Sequence, residues 1–191
     1  MRKYEFRPDR TEGSIISKLY LTKKQRLSLL KWVLAALLMV VLSVIQDAIM
    51  STVRIFGSTT DLLPCGIVLM CLALQSENGS VFALLASCFY YCSGTAPGPQ
   101  VIVLLTALGV AAHLLLQNFL RKGFFSTFLC AGAAMMSYEL LLFVLGVFLG
   151  STTWSRFGVF AVCGGLSVAV IPLLYPITRA IAKIGGDSWN E

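Results

Sequence analysis

The chain has 191 residues, of which 57% are hydrophobic and only 13% are charged. Because a soluble domain carries about 25% charged residues, this composition excludes a soluble globular protein and indicates an integral membrane protein. The formal net charge of +6 does not indicate nucleic-acid binding, since nine of the 15 Lys and Arg residues lie in residues 1–31. A basic segment ahead of the first apolar stretch predicts a topology signal and contact with anionic lipid.

Residues 1–26 form a basic tail, and the first apolar segment follows it. The tail is long and no small-x-small cleavage site comes after the apolar segment, so we expect a retained span rather than a signal peptide. A span needs about 20 apolar residues, and we interpret six apolar segments as transmembrane helices, at residues 27–45, 62–74, 79–92, 101–120, 125–149 and 157–175. The membrane domain then covers residues 27–183, and residues 184–191 form a short tail.

The second segment is shorter than the others, at roughly 20 Å as a helix. It must thin the bilayer locally, extend into its flanks or be shielded by neighbours. Six spans with a cytoplasmic N-terminus place 13 of the 15 basic residues inside, with only Arg54 and Arg156 outside. This positive-inside pattern predicts a compact all-α bundle of six transmembrane helices with both termini in the cytoplasm.

The stretch VRIFGSTTDLLP (residues 53–64) precedes the second apolar segment. Thr60 or Asp61 is expected to cap the helix N-terminus with its side chain. Pro64 then falls in the first turn, where its missing N–H costs little. Gly57 permits a turn that other residues resist.

Residues 45–56 are too apolar and too long for a simple connector. We interpret this approach as a segment on the outer membrane surface or against the bundle, where a partner protein docks. Its expected apolar contacts are Ile49, Met50, Val53, Ile55 and Phe56. The residues that we predict for partner binding are Ile49, Val53, Arg54, Phe56, Gly57 and Asp61.

Two ionisable residues lie within the apolar segments. His113 and Glu139 both sit roughly 15–18 Å deep when counted from the outer helix ends, so they could form a charge-assisted pair. Such residues are functional candidates, and a proton relay is one interpretation. The alternatives are an interhelical hydrogen bond that fixes packing, or a neutral Glu139 bonded to Ser137 or to a backbone carbonyl.

Several other residue types have a structural interpretation. The six cysteines all lie inside apolar segments and are expected to be small apolar fillers rather than metal ligands or disulfides. Tyr90 and Tyr91 are expected in the interfacial aromatic belt. Gly79, Ala83 and the following small residues form a face that allows close helix packing, and packing within this protein is favoured over packing against a partner.

The order of these motifs resembles the MreD family of small bacterial membrane proteins. The basic tail and first span are followed by RIFGSTTDLL, the short turn SENGS, CSGTAPG at 92–98 and PLLYPITRAI at 172–181. The family typically shows an aromatic-Gly-x-x-Pro-Asp-Leu stretch, a Ser-Gly…Gly turn and a late Tyr-Pro followed by a basic residue. The matching positions here are Phe56, Gly57, Asp61, Leu62, Ser93, Gly94, Gly98, Tyr175, Pro176 and Arg179.

The chain also departs from that pattern. Thr60 stands where proline is usual, and Tyr90 and Ala86 stand where the family often has an aspartate and a preceding glycine. If the aspartate makes a specific contact in the family, this chain lacks that contact or replaces it.

The resemblance implies a non-enzymatic scaffold of the rod-shape machinery in the bacterial plasma membrane. It implies binding to MreC, a bitopic protein with a periplasmic coiled coil, and coupling of MreB filaments to the glycosyltransferase and transpeptidase that extend the wall. It also implies a six-helix bundle like that of the S-components of energy-coupling-factor vitamin transporters. No cofactor, metal or nucleic acid is expected.

Two other functions remain as alternatives. An S-component-like vitamin binder needs an outward pocket and a small-residue coupling face in the first span. That span offers only the adjacent pair Ala35 and Ala36. An intramembrane enzyme has only His113 and Glu139 in its favour.

Overall fold

The structure is a computed structural model that describes residues 23–50, 60–74, 76–120 and 123–184. Within these ranges the chain is helical and contains no strand. We number the α-helices α1 to α6 in chain order. They are α1 (Lys23–Ile45), continued by a π-helical turn (Gln46–Met50), α2 (Leu62–Ala73), α3 (Ser76–Cys92), α4 (Gln100–Phe119), α5 (Phe124–Phe148), a 3-10 turn (Trp154–Arg156) and α6 (Phe157–Ala182).

Four segments in the described part of the chain are helical, long and apolar enough to cross a membrane. They are Arg26–Ala48, Gln100–Phe119, Phe124–Phe148 and Trp154–Ala182. The prediction of an all-helical membrane protein is confirmed at this level. Six spanning helices remain a proposal, because α2 has 12 residues and α3 has 17, or roughly 18 and 26 Å, against a hydrocarbon core of about 30 Å.

Helix α2 is the central element of the bundle. Each of its residues from Leu62 to Leu72 is buried, and it contacts all five other α-helices. Its sequence LLPCGIVLMCLA is apolar on every side, as expected of a helix with no solvent-facing or lipid-facing surface. Of the three ways in which a short segment can be accommodated, the structure uses shielding by neighbours.

The N-terminus of α2 lies at mid-height in the bundle. The Asp61 backbone N–H donates to Ser167 Oγ at 3.2 Å, and Ser167 is ten residues, or roughly 15 Å, along α6 from Phe157. Asp61 therefore lies at mid-height rather than at the outer surface, and its role in partner binding stays a prediction. Helix α2 occupies only one half of the bundle's depth.

The cap of α2 also differs from the prediction. Asp61 is the N-cap residue, but its side chain makes no capping hydrogen bond. Instead, the Leu63 backbone N–H donates to Gln46 Oε1 at 2.8 Å. Because a buried helix N-terminus still needs an acceptor, and the Asp61 carboxyl is hydrogen-bonded to Glu139, the acceptor comes from the turn after α1. Pro64 lies in the first turn, as predicted.

Helices α2 and α3 approach each other closely at Gly79. A Cβ at this position would lie 2.7 Å from the Cys71 carbonyl oxygen, so only glycine fits without moving the backbone. The same carbonyl lies 3.1 Å from His113 Nδ1. The small-residue face of α3 is buried inside the protein, including Ala83 and Ser87, in agreement with packing within this chain.

Helices α5 and α6 pack side by side in opposite directions. The rings of Phe124 and Tyr175 meet edge to face at 4.9 Å at one end, and those of Phe143 and Phe157 meet at 5.3 Å towards the other. The start of α5 therefore lies beside the end of α6, where Arg179 is located.

Candidate functional site

Polar side chains from five parts of the chain meet inside the bundle around the N-terminus of α2. We call this group the central polar cluster. Its members are Gln46 after α1, Asp61 before α2, Tyr90 on α3, Tyr138 and Glu139 on α5, and Cys163 and Ser167 on α6.

The core of the cluster is a pair of carboxyl groups. The side chains of Asp61 and Glu139 are hydrogen-bonded to each other, and one of the two must carry the proton, because an ionised carboxylate has no donor. The thiol of Cys163 donates to Glu139 Oε1 across 3.5 Å. A carboxylate oxygen from each acid and the Cys163 sulfur all lie within 4.8 Å of one another.

The second part of the cluster is a pair of tyrosines. Tyr90 makes a side-chain hydrogen bond with Gln46, so the residue that caps α2 is itself held by α3. The Tyr138 side chain is 0% exposed. Its hydroxyl lies beside that of Tyr90, but in the described part of the chain it makes no hydrogen bond of normal geometry. Both carboxyl groups are close enough to act electrostatically on this hydroxyl.

Glycine in α6 makes room for Glu139. A Cβ on Gly164 would lie 3.4 Å from Glu139 Cγ and 2.9 Å from Met136 Sδ, so a larger residue here would require the Met136 side chain to move. Glu139 is only 4% exposed. Gly164, the first of the two glycines in VCGGLS, thus faces α5 beside Glu139, whereas no atom lies within 4 Å of a Cβ at Gly165.

A cavity of about 220 Å³ lies between α5 and α6. Most of its walls are apolar, and Glu139 is its one ionisable lining residue. The lining residues Met136, Leu140 and Phe157 are exposed on the outer face of the bundle, so the cavity opens sideways towards the lipid.

The structure does not bring the predicted pair together. The His113 ring faces the Cys71 carbonyl, whereas Glu139 binds Asp61 and Cys163. The two residues occupy similar depths, as counted from the sequence, but their helices turn them towards different neighbours.

Two further predictions need correction. Tyr90 is buried in the central polar cluster rather than in an interfacial belt, whereas its neighbour Tyr91 is exposed. Cys163 is not only an apolar filler, because it donates to Glu139.

Much of the predicted docking segment lies outside the described residues. This applies to Val53, Arg54, Phe56 and Gly57, and for Ile49 the structure describes the backbone of the π-helical turn but not the side chain. The partner-binding role of these residues therefore stays a prediction.

The remaining motif residues lie at helix ends. The hydroxyl of Ser93 donates to the Tyr90 carbonyl at 2.7 Å, and Gly94 has a φ of 79°, which is typical of a helix C-terminus. Arg179 Nη1 donates to the Tyr175 hydroxyl at 3.3 Å, and Pro176 lies between them within α6. Gly98 ends the α3–α4 connection, where its carbonyl accepts from the Val101 N–H.

Sequence reasoning missed Gln46, Tyr138, Cys163 and Ser167. Measuring depth along the helices would have found Ser167. Ser167 and Glu139 each lie roughly 14–15 Å from the same end of the α5–α6 pair. Nothing in the local sequence marks Cys163 or Tyr138 as polar partners.

No family model, curated protein or solved structure matches this chain. The chemistry of the cluster therefore has to be inferred from its own groups. Two carboxyls and a thiol, brought together within a bundle of apolar helices, can hold either protons or a cation.

Proposed function

We propose that the chain is a non-enzymatic membrane scaffold of the MreD type, which binds a bitopic MreC-like protein in a bacterial plasma membrane. In this role it helps to position the wall glycosyltransferase, the class B transpeptidase and MreB. The resemblance in motif order is the first support. The second support is structural: hydrogen bonds attach the predicted docking segment to the helix bundle on both sides.

Residues 46 and 61, which bound the predicted docking residues, are both fixed inside the bundle. At one end, Gln46 binds the Leu63 N–H and Tyr90. At the other end, Asp61 binds Glu139 through its side chain and Ser167 through its backbone. Interaction segments work best when a rigid framework positions them. This double attachment is the observation on which the scaffold proposal rests.

The outer faces of the long helices fit the same role. Large apolar side chains are exposed along one side of α1, among them Val33, Leu37, Val40 and Val44. In a membrane this surface contacts lipid or a neighbouring helix. It provides a second contact area beside the docking segment.

The test is affinity capture from native membranes with the full chain as bait. We expect a single-span coiled-coil protein and wall synthases to co-purify. Replacing Phe56 with alanine should reduce recovery of the coiled-coil protein several-fold while insertion stays normal. Phe148→Ala is the matched control, because Phe148 is 85% exposed and lies on the same predicted outer side. Unchanged capture and rod shape in the Phe56→Ala strain would contradict the proposal.

The second candidate is an S-component-like subunit of a vitamin transporter. The cavity beside Glu139 favours it, since a pocket with aromatic walls and two polar residues, Ser137 and Glu139, suits a small ligand. Its volume of about 220 Å³ is below the roughly 300–1,000 Å³ of typical ligand pockets. Recovery of an ATPase module together with a bound vitamin in the same capture experiment would favour this candidate.

A further inference from the structure

We propose that Asp61, Glu139 and Cys163 form a binding site for one divalent transition-metal ion of the zinc class, inside the bundle at the N-terminus of α2. The site goes beyond the scaffold role and does not depend on it, because it needs no partner protein.

The spacing of the three donor atoms fits tetrahedral coordination. Zinc binds carboxylate oxygen at about 2.0–2.2 Å and thiolate sulfur at about 2.3 Å, so neighbouring ligand atoms lie roughly 3.3–3.7 Å apart. Cys163 Sγ and Glu139 Oε1 are 3.5 Å apart, and Asp61 is hydrogen-bonded to Glu139. All three donor atoms lie within 4.8 Å of one another, which is close enough for all three to reach one metal ion.

The three ligands are held by separate elements. Asp61 is fixed through its backbone N–H to Ser167, Glu139 is carried by α5, and Cys163 by α6. Gly164 permits the close approach of α5 and α6 at this level. A metal ion here would join the start of α2 to both helices.

The hydroxyl of Tyr138 is an independent sign of a missing ligand. It is completely buried and, among the residues that the structure describes, makes no hydrogen bond of normal geometry. Buried polar groups are normally satisfied. Tyr90, Asp61 and Glu139 all act on this hydroxyl electrostatically, so it belongs to the central polar cluster. A water molecule as the fourth metal ligand would supply the partner that it lacks.

The charge balance also favours a divalent ion. Without metal, the hydrogen-bonded carboxyl pair holds one proton and the thiol holds another, so the three groups carry one negative charge. Metal binding requires all three to be deprotonated, and two protons leave as one divalent cation enters. The net charge of the buried group stays the same, which avoids the cost of adding charge to a low-dielectric interior.

The mixed donor set selects the kind of ion. A thiolate ligand favours zinc or cobalt over magnesium and calcium, which prefer oxygen donors alone. We therefore expect Zn²⁺ and Co²⁺ to bind, and Mg²⁺ not to compete with them.

The first test uses the full chain without a histidine tag, in lipid nanodiscs, after chelator treatment. It is exposed to Zn²⁺, desalted and analysed for metal content, with one zinc ion per chain expected. Replacement by Co²⁺ should give a near-ultraviolet thiolate-to-cobalt absorption band. Failure of the folded wild-type protein to retain zinc, or a cobalt complex without that band, overturns the proposal.

The second test uses matched cysteine variants. Cys163→Ser should remove the cobalt band and weaken zinc binding by more than tenfold, whereas Cys88→Ser on α3 should change neither. Glu139→Gln should weaken zinc binding to a similar extent. A cobalt band that persists in Cys163→Ser, or equal losses in both cysteine variants, would overturn the site. Since no partner is present, these results are separate from the capture experiment.

Discussion

At the residue scale, the central polar cluster shows why an intramembrane carboxyl group has to be considered with its neighbours. Asp61 and Glu139 satisfy each other by a hydrogen bond, and Cys163 adds a donor to Glu139. Removing one acid leaves the other buried beside a thiol and two tyrosines. The two residues therefore act as one unit, and their substitutions should not be additive.

Alanine at either position should consequently be costly. We expect Glu139→Ala and Asp61→Ala each to lower the free energy of unfolding by about 1–3 kcal/mol, because each leaves a buried carboxyl group without its hydrogen-bond partner. The double variant should lose clearly less than the sum. Glu139→Gln keeps hydrogen-bonding capacity and should lose about 1 kcal/mol. Unfolding by denaturing detergent in mixed micelles measures all four, and strictly additive losses would contradict the coupling.

At the element scale, α2 depends on its surroundings more than any other helix in the described chain. It is too short to cross the bilayer, it is buried on all sides, and Gln46 provides its cap from a distant part of the chain. Its close packing against α3 rests on a single glycine, Gly79, which faces backbone rather than a flexible side chain.

Gly79→Ala should therefore separate α2 from α3. The added Cβ would meet the Cys71 carbonyl oxygen at 2.7 Å, and we expect a loss of about 1–3 kcal/mol in the free energy of unfolding, as for other overpacked sites. Gly165→Ala is the control, since no atom lies within 4 Å of its Cβ position and alanine favours a helix by up to about 1 kcal/mol. Equal stability of the two variants in the same detergent titration would show that this contact is not tight.

At the scale of the whole molecule, the start of α5 lies beside the basic end of α6. The ring contact between Phe124 and Tyr175 brings the start of α5, which follows Arg121 and Lys122, beside the end of α6 with Arg179. The positive-inside rule predicts that this end faces the cytoplasm.

A reporter fused after the C-terminus can check this orientation. We expect a green fluorescent protein fusion to fluoresce and an alkaline phosphatase fusion to be inactive, because both termini should lie in the cytoplasm. Changing Arg179 and Lys183 to glutamine should increase the share of inverted molecules. A phosphatase-active wild-type fusion would contradict this orientation and would mean either an odd number of crossings or an inverted chain with both termini outside.

Hydropathy predicted where the helices lie, because a bilayer interior permits few other structures for an apolar segment. Helix α5 begins at Phe124 and α4 at Gln100, each one residue from the predicted start. The central polar cluster could not be predicted from the sequence, because it depends on the rotation of each helix about its own axis. A tyrosine such as Tyr90 suits the membrane interface as well as a buried network, and a cap from Gln46 leaves no local signature beside Asp61.

The complete burial of α2 has a consequence for biogenesis. Four of the five helices that surround it, α3 to α6, follow it in the chain. During synthesis, α2 therefore leaves the ribosome before most of its binding surface exists. Its final placement is a late event that waits for α5 and α6, and nascent chains stopped before α5 should be good substrates for membrane quality-control proteases.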